Sequence, residues 1–285
     1  MSNSTIRRLA LVSSAMALVG GVASAAPPAA KSAPATTSGI EVQPHRALYE
    51  MTLESAKPNS GVVGATGSLA YQWGESCDGW TIEQRYKLNM QYEQDQPVDI
   101  NSNFVTWESK DGKSYRFNER RTRNGQADED IKGDAALKGA KGAGAAVFSK
   151  PKDQNFDLPP GSLFPTAHTL LLIRKAEDGE HYLSADVFDG SSVDGAVDIS
   201  AVLGPKIDPK AHPPSATVKS PLIDRPSWNV RMAFFPESSK DENPDYELGM
   251  RLMDNGVSSE MTIDYGDYVI KATLKEIQAL PKPAC

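Results

Sequence analysis

Residues 80–92 read WTIEQRYKLNMQY, and this stretch decides the fold. Every even position except Gln84 is large and apolar or aromatic, whereas the odd positions are polar or charged. An alternation of period two predicts a β-strand with one buried face and one solvent-facing face. At about 3.3 Å per residue the strand would be about 43 Å long, well beyond the usual five or six residues. A strand of that length stays covered only if its sheet curls, so we predict a strongly curved sheet.

The same alternation recurs along the chain and is interrupted by turn dipeptides. The turns are Asp111-Gly112, Asn255-Gly256 and Gly266-Asp267. Further strands are predicted at 47–53, 62–73, 104–109, 114–123, 185–188, 197–203, 228–235, 246–252, 257–265 and 268–274. Hairpin connections between neighbouring strands are typical of antiparallel sheets. The sequence therefore predicts a mainly β fold, with about ten to fourteen strands in a long antiparallel sheet.

One segment departs from this pattern and predicts a helix over 166–177. Pro165 suits the first helical position, and Gly179 suits the position just past the helix end. The centre, Leu170 to Ile173, is apolar all round, which is typical of a helix that is buried on most sides. In a curved sheet the place for such a helix is the mouth or the lumen, so we expect one or two short helices there.

Two further stretches predict long surface loops. Residues 133–144 are rich in Ala, Gly and Lys, and residues 204–221 contain five prolines. Neither stretch shows a pattern that could bury a core, so we interpret both as irregular.

The first 25 residues have the features of a cleaved signal peptide. Arg7-Arg8 precedes an apolar stretch of about fourteen residues, which is too short to span a bilayer. Ala23-Ser24-Ala25 suits signal peptidase, so we predict cleavage after Ala25, export, and no transmembrane anchor. A disordered Ala/Pro/Ser linker at 26–40 would then lead into a single sheet domain at 41–285.

The charge of the chain excludes one class of partner. The 285 residues include 30 Lys+Arg and 37 Asp+Glu, and the net charge of −7 becomes −9 once Arg7 and Arg8 are removed. A nucleic-acid-binding protein would show a basic footprint, so no nucleic acid is expected. Composition indicates a soluble, acidic, exported globular protein, and it does not indicate a function.

Two cysteines are present, Cys77 in a turn and Cys285 as the last residue. An oxidising compartment favours an intramolecular bridge between them. The alternatives are two free thiols or intermolecular pairing through a mobile tail. The spacing is unlike Cys-x-x-Cys, so no redox activity is expected.

No motif predicts catalysis, and no metal or cofactor is expected. The four His lack metal-ligand spacing, and no nucleophile motif is present. Asp186 and Asp189 could form an acid/base pair, although Asp-Gly is a turn dipeptide in its own right. We keep as an alternative a hydrolase acting on envelope polymers through Asp186 or Asp189 with His168 or His181.

Four arginines form a basic cluster in this acidic chain. They are Arg116, Arg120, Arg121 and Arg123. A solvated strand edge that protects against aggregation is one interpretation, and contact with an anionic lipid or polymer is the other.

The apolar faces of the strands define the candidate ligand site. A cavity lined by Trp, Tyr, Met and Leu would suit a hydrophobic ligand such as an acyl chain. Alternatively, these side chains interdigitate as a solid core, and the protein is purely structural. The residues expected to line the concave face are Trp80, Ile82, Tyr86, Leu88, Met90, Phe104, Tyr115 and Phe117, with Leu170 and Leu171 from the helix.

Several short motifs, in this order along the chain, resemble the envelope-integrity protein B (EipB-like) family of periplasmic proteins of alphaproteobacteria. They are Pro44-His45-Arg46-Ala47-Leu48-Tyr49, Ser76-Cys77-Asp78-Gly79-Trp80, Leu158-Pro159-Pro160-Gly161 with Phe164-Pro165 and His168, Val187-Phe188-Asp189-Gly190, and the C-terminal Cys285. The resemblance covers roughly residues 40 to 285.

The resemblance implies a spiral or broken-barrel antiparallel sheet, similar to that of the LolA and LolB lipoprotein carriers of Gram-negative bacteria. It also implies a disulfide carried by Cys77 and Cys285, a periplasmic location and a part in maintaining cell-envelope integrity. It implies no established catalysis and leaves the ligand open. The expected partners are a lipid or acyl-chain ligand, or a periplasmic partner protein.

Overall fold

The computed structural model describes residues 39–139, 142–216, 218–236 and 243–285. Within these residues the chain forms fourteen β-strands and one α-helix, α1 (Pro165–Glu177), between β8 and β9. The strands are β1 (His45–Ala56), β2 (Val62–Glu75), β3 (Gly79–Tyr92), β4 (Val98–Ser109), β5 (Ser114–Arg123), β6 (Gln126–Leu137), β7 (Gly144–Lys150), β8 (Asn155–Leu158), β9 (Tyr182–Val187), β10 (Val197–Leu203), β11 (Ser227–Pro236), β12 (Tyr246–Met253), β13 (Ser258–Asp264) and β14 (Tyr268–Ala279). The predicted signal peptide (1–25) and nearly all of the predicted linker (26–40) lie outside the described residues.

All fourteen strands belong to one sheet, and the chain starts in its middle. The strand order is β8-β7-β6-β5-β4-β3-β2-β1-β14-β13-β12-β11-β10-β9. Strand β1 pairs with both β2 and β14, and every strand pair is antiparallel. The sheet is not closed into a barrel, because β8 and β9 form its two edges. The predicted mainly antiparallel β fold is confirmed, with one helix.

The connection between the two edges shows that the sheet curls. A flat sheet of fourteen strands would be about 62 Å wide at about 4.8 Å per strand. Yet Leu163, which follows β8 closely, pairs with the far edge strand. Its backbone N–H donates to the Asp186 carbonyl at 2.9 Å, and its carbonyl accepts from the Phe188 N–H at 3.0 Å. The short segment that follows β8 therefore reaches the other edge of the sheet, and α1 begins beside that junction.

Four apolar clusters occupy the concave side of the sheet. The first joins β1, β2 and β3 to β13 and β14, and includes Tyr49 and Met90. The second packs α1 against β9 to β12, and the third gathers aromatic rings from β5 and β7. The fourth places Val42 and Leu170 against Trp73. The alternation read from residues 80–92 thus corresponds to a sheet with one apolar face.

The predicted loop at 133–144 is wrong in its first part. Residues 133–137 belong to β6, and β7 already begins at Gly144. A Cβ atom on Gly133 would lie 2.5 Å from Cζ of Phe117, and Ala135 is buried beside the same aromatic cluster. The small residues are therefore needed to make room for aromatic rings, which is a packing requirement that composition alone does not distinguish from a loop.

The Pro-rich stretch 204–221 is irregular, as predicted, over its described residues. The Gly204 N–H donates to the Asn229 carbonyl of β11 at 2.8 Å, and Ile207 forms an isolated bridge with Ser227. It is anchored to β12, because Arg251 donates from Nη2 to the His212 carbonyl at 2.6 Å.

In the structure, Cys77 and Cys285 form a disulfide across 208 residues, with an S–S distance of 2.07 Å. The bond ties the end of the chain, after β14, to the turn between β2 and β3. In the sheet, β14 and β2 are separated only by β1, so the bridge holds the middle of the sheet.

Candidate functional site

One end of the concave face is closed by α1, and Glu108 on β4 positions that helix. The backbone N–H groups of Thr166 and Ala167 donate to Oε2 and Oε1 of Glu108 at 2.7 and 2.8 Å. Phe164, the N-cap residue, provides no side-chain cap, so a strand carboxylate satisfies the free N–H groups of the first turn. Burial raises the pKa of Glu108 to about 7, and these hydrogen bonds oppose the rise.

Aromatic rings fill the space beside this closed end. Tyr115 stacks on Phe164 with ring centroids 4.8 Å apart, and its hydroxyl donates to the Asp189 carbonyl at 2.8 Å. Phe117 contacts Phe148 and Phe188 edge to face at 5.0 and 5.4 Å. This part of the concave face is therefore a solid aromatic core.

Five tyrosines form what we call the tyrosine rim: four lie at the opposite end of the concave face, and Tyr86 lies nearer the middle of β3. They are Tyr86 and Tyr92 on β3, Tyr246 on β12, Tyr265 just after β13, and Tyr268 at the start of β14. The ring centroids of Tyr246 and Tyr265 are 6.0 Å apart, and those of Tyr265 and Tyr268 are 5.1 Å apart. Burial raises the pKa of Tyr265 to about 12, with Tyr268 and Tyr86 adding to the rise. The rim thus brings β3 close to β13 and β14.

A charged cluster centred on Arg121 of β5 lies beside the rim. Its guanidinium contacts Asp128 at 2.9 Å, Glu129 at 3.1 Å and Glu119 at 3.6 Å. Burial raises the pKa of Tyr86, and Arg121 opposes that rise, which shows that the cluster and the rim adjoin. Three carboxylates around one guanidinium leave it already neutralised.

Glu119 is the most buried member of this cluster, with 3% of its surface exposed. Its Oε1 accepts a hydrogen bond from the Ser102 hydroxyl at 3.2 Å. Among the described residues, its Oε2 has no hydrogen-bond partner. Burial raises the pKa of Glu119, and the charge of Arg121 opposes the rise. The site therefore holds a carboxylate oxygen that is buried and unsatisfied.

The predicted basic cluster divides between the two faces of the sheet. Arg121 belongs to the concave-side cluster just described. Arg116 and Arg120 are exposed and lie 3.7 and 3.8 Å from Asp134 and Asp130, with which they pair across β5 and β6.

The structure separates the ten predicted lining residues into two groups. Four are buried inside the clusters: Met90, Tyr115, Phe117 and Leu170. Six are half-buried: Trp80, Ile82, Tyr86, Leu88, Phe104 and Leu171. The half-buried strand residues lie on β3 and β4, so these strands carry the accessible part of the predicted surface.

Sequence reasoning did not include the residues that the second half of the chain contributes to this face. The half-buried apolar members are Leu248, Met250, Met261, Ile263 and Tyr268, with Tyr265 beside them. Their alternation was visible in the sequence. Only the curling of the sheet shows that they share a surface with β3.

The histidines and aspartates of the hydrolase alternative do not form a catalytic arrangement. Asp186 lies within β9 on the face of the sheet opposite to the buried Leu183. Asp189 lies close to Tyr115 on the concave side, where burial raises the pKa of Tyr115 and the charge of Asp189 adds to the rise. Burial lowers the pKa of His168 to about 4, and among the described residues its Nε2 has no hydrogen-bond partner. His181 pairs through Nδ1 with the Leu203 carbonyl at 3.0 Å.

Two grooves of about 410 Å³ each lie on the outer face of the sheet. The first crosses β14, β1, β2 and β3 and has polar walls that include Arg46, Glu83 and Arg85. The second crosses β10 to β13 and includes Val202 and Arg251. Neither groove contains a residue predicted for the ligand site.

The described residues contain no group of three or more His, Cys, Asp or Glu side chains arranged to hold a metal ion. In the same part of the chain, no helix is both long and apolar enough to cross a membrane.

These features define a β-barrel-like protein: an open antiparallel sheet curls around apolar clusters, and the segment that leads from β8 into α1 connects its two edges. The sequence model described as EipB-like matches residues 36–281, so the chain belongs to the EipB-like family. The chain is 30% identical over 249 residues to the cell envelope integrity protein EipB of Brucella abortus (strain 2308). The aligned region covers 86% of this chain and 87% of that protein.

A crystal structure of a beta-barrel-like protein of the domain of unknown function DUF1849, from Brucella abortus, has the same fold. It aligns with a TM-score of 0.78 at 29% identity, over 85% of this chain and 100% of that chain. The family and the fold that the sequence motifs predicted are both confirmed.

Proposed function

We propose that this protein supports the integrity of the cell envelope from the periplasm, without catalysis, by holding the apolar chain of a lipid-like ligand on its concave face. The envelope role is supported by the relative from Brucella abortus, which is named a cell envelope integrity protein. The non-enzymatic role is supported by the positions of the candidate histidines and aspartates.

One observation carries the ligand proposal. Beside the tyrosine rim, apolar side chains of opposite parts of the sheet are only half-buried: Leu88 on β3, Ile100 on β4, Leu248 on β12, and Met261 and Ile263 on β13. Apolar side chains that a protein leaves only partly covered on one face are typical of an interaction site. Its concave setting suits an acyl chain better than a flat surface would.

The proposal predicts that a charge on this surface abolishes function, whereas the same charge on the outer face does not. Leu88→Asp places a carboxylate among half-buried apolar side chains, where an unpaired charge is costly and an acyl chain is repelled. Val202→Asp is the matched control, because Val202 is 58% exposed on the outer face. Both variants would be expressed in a strain that lacks the gene and assayed for growth on detergent.

We expect Val202→Asp to restore detergent resistance and Leu88→Asp to fail, with near-UV circular dichroism showing that both variants are folded. Full restoration by a folded Leu88→Asp variant would overturn the concave-face proposal. A protein ligand on the same face is the alternative, and it would be indicated if Leu88→Asp fails while no acyl species accompanies the wild-type protein.

A further inference from the structure

We propose that the tyrosine rim recognises a positively charged headgroup, an organic ammonium, on the amphiphile whose chain lies on the concave face. This inference rests on the proposed function, because it assigns the chemistry of the headgroup at the end of the same surface. Three features carry it: the aromatic row, the excess of carboxylates, and the continuity between the rim and the apolar surface.

The aromatic row presents several ring faces at cation-binding spacing. Phe234 stacks on Tyr246 at 4.2 Å, and the row continues through Tyr265 to Tyr268 with centroids 6.0 and 5.1 Å apart. Tyr265 remains 45% exposed, so a ligand can reach it. Ammonium groups bind over such ring faces within about 6 Å of a centroid, and clustered rings form cages for quaternary ammonium ligands.

The charges beside the rim favour a cation over an anion. Arg121 is engaged by three carboxylates, and Arg123 lies 3.6 Å from one of them, Asp128. These three acids and two arginines leave an excess of one negative charge. The unsatisfied Oε2 of Glu119 adds an acceptor that no donor of the described chain fills. A phosphate or carboxylate headgroup would instead meet guanidinium groups that are already paired.

The rim continues directly into the apolar surface. Tyr86 and Leu88 are two residues apart on β3, and Ile263 and Tyr265 are two residues apart at the end of β13. Residues at this spacing in a strand point to the same side of the sheet. A headgroup at the rim would therefore place its chain along Leu88 and Ile263, which lie beside Tyr86 and Tyr265 on the same face of the sheet.

Three probes with the same ten-carbon chain test this inference on the oxidised mature protein. They are decyltrimethylammonium, decanoate and decyl maltoside, each titrated below its critical micelle concentration by isothermal calorimetry. Because the acidic chain attracts cations non-specifically, the titrations would be made at about 0.3 M salt, where such long-range attraction is screened. We expect decyltrimethylammonium to bind about tenfold more tightly than decanoate.

Two variants locate the preference, each with a matched control. Tyr265→Ala should weaken decyltrimethylammonium binding about fivefold or more and leave decyl maltoside unchanged, whereas Tyr182→Ala, at an exposed tyrosine of the outer face, should change neither. Glu119→Gln should reduce the same preference, and Glu276→Gln, at an exposed outer-face residue, should not.

Each outcome decides between the two proposals. Equal binding of the three probes would overturn the headgroup inference and leave the apolar-chain proposal standing, and a preference for decanoate would do the same. Binding of none of them would overturn both. A preference for decyltrimethylammonium that survives Tyr265→Ala would place the cation elsewhere and overturn the role of the rim.

Discussion

Replacing Glu108 by glutamine should change how the stability of the fold depends on pH. The Glu108 carboxylate is 2% exposed and accepts hydrogen bonds from the first-turn N–H groups of Thr166 and Ala167. The perturbation removes the titrating group that caps α1 and keeps the size of the side chain.

The expected magnitude follows from the rise of the Glu108 pKa. A rise of the pKa from 4.5 to about 7 means that folding favours the protonated over the ionised Glu108 side chain by about 3 kcal/mol. Because the folded protein holds this proton more tightly than the unfolded chain does, the stabilisation is fully present below pH 4.5. It is lost as the pH rises through about 7. The helix N-terminus favours the ionised carboxylate, so about 3 kcal/mol is an upper bound.

The assay is urea unfolding of the oxidised protein at pH 4.5 and pH 8, followed by tryptophan fluorescence and far-UV circular dichroism. Glutamine does not titrate, so between these two pH values the wild type should lose up to about 3 kcal/mol relative to Glu108→Gln. Glu276→Gln, at an exposed outer-face residue, should follow the wild type. If the difference between the wild type and Glu108→Gln is the same at both pH values, the burial and capping argument for Glu108 is wrong.

Two further predictions concern the bridge and the aromatic core. Cys285→Ser opens a loop of 208 residues and should lower the free energy of unfolding by up to about 5 kcal/mol. Reductant should lower the urea midpoint of the wild type to that of the variant, and an unchanged midpoint would refute the stabilising role of the bridge. Gly190 and Gly61 have similar φ angles of 69° and 70°, but a Cβ on Gly190 would lie 2.4 Å from the Phe117 ring, whereas a Cβ on Gly61 would meet open space. Gly190→Ala should therefore lower the free energy of unfolding by about 2 kcal/mol more than Gly61→Ala. Equal thermal midpoints for the two variants would contradict the packing described around Phe117.

Local signals in the sequence were sufficient to predict the main elements. The period-two alternation of residues 80–92 corresponds to β3, and Pro165 and Gly179 bracket α1 within one or two residues. Such signals depend on a few neighbouring residues: the alternation of a half-buried strand, and backbone preferences at helix ends and turns. The curvature followed from the length of β3 alone.

The tyrosine rim could not be predicted, because it depends on which strands face each other after the sheet curls. Tyr86 and Tyr265 are far apart in the chain: Tyr86 lies on β3 and Tyr265 follows β13, and these two strands are not sheet neighbours. The concave-side position of Glu119 and Arg121 is easier to predict from the sequence, because both residues continue the odd-numbered face of β5 after Tyr115 and Phe117. Grouping Arg121 with Arg116, Arg120 and Arg123 as one basic cluster hides this signal, because the four arginines do not share one face of the strand.

Native mass spectrometry of the mature protein, purified oxidised from the periplasm without detergent and followed by lipid extraction, tests whether the concave face holds a ligand. We predict a stoichiometric acyl-chain species on the wild type, retained by Val202→Asp and absent from a folded Leu88→Asp variant. Wild-type protein with the bridge formed and no bound species, or an acyl species that Leu88→Asp retains in full, would contradict the proposal.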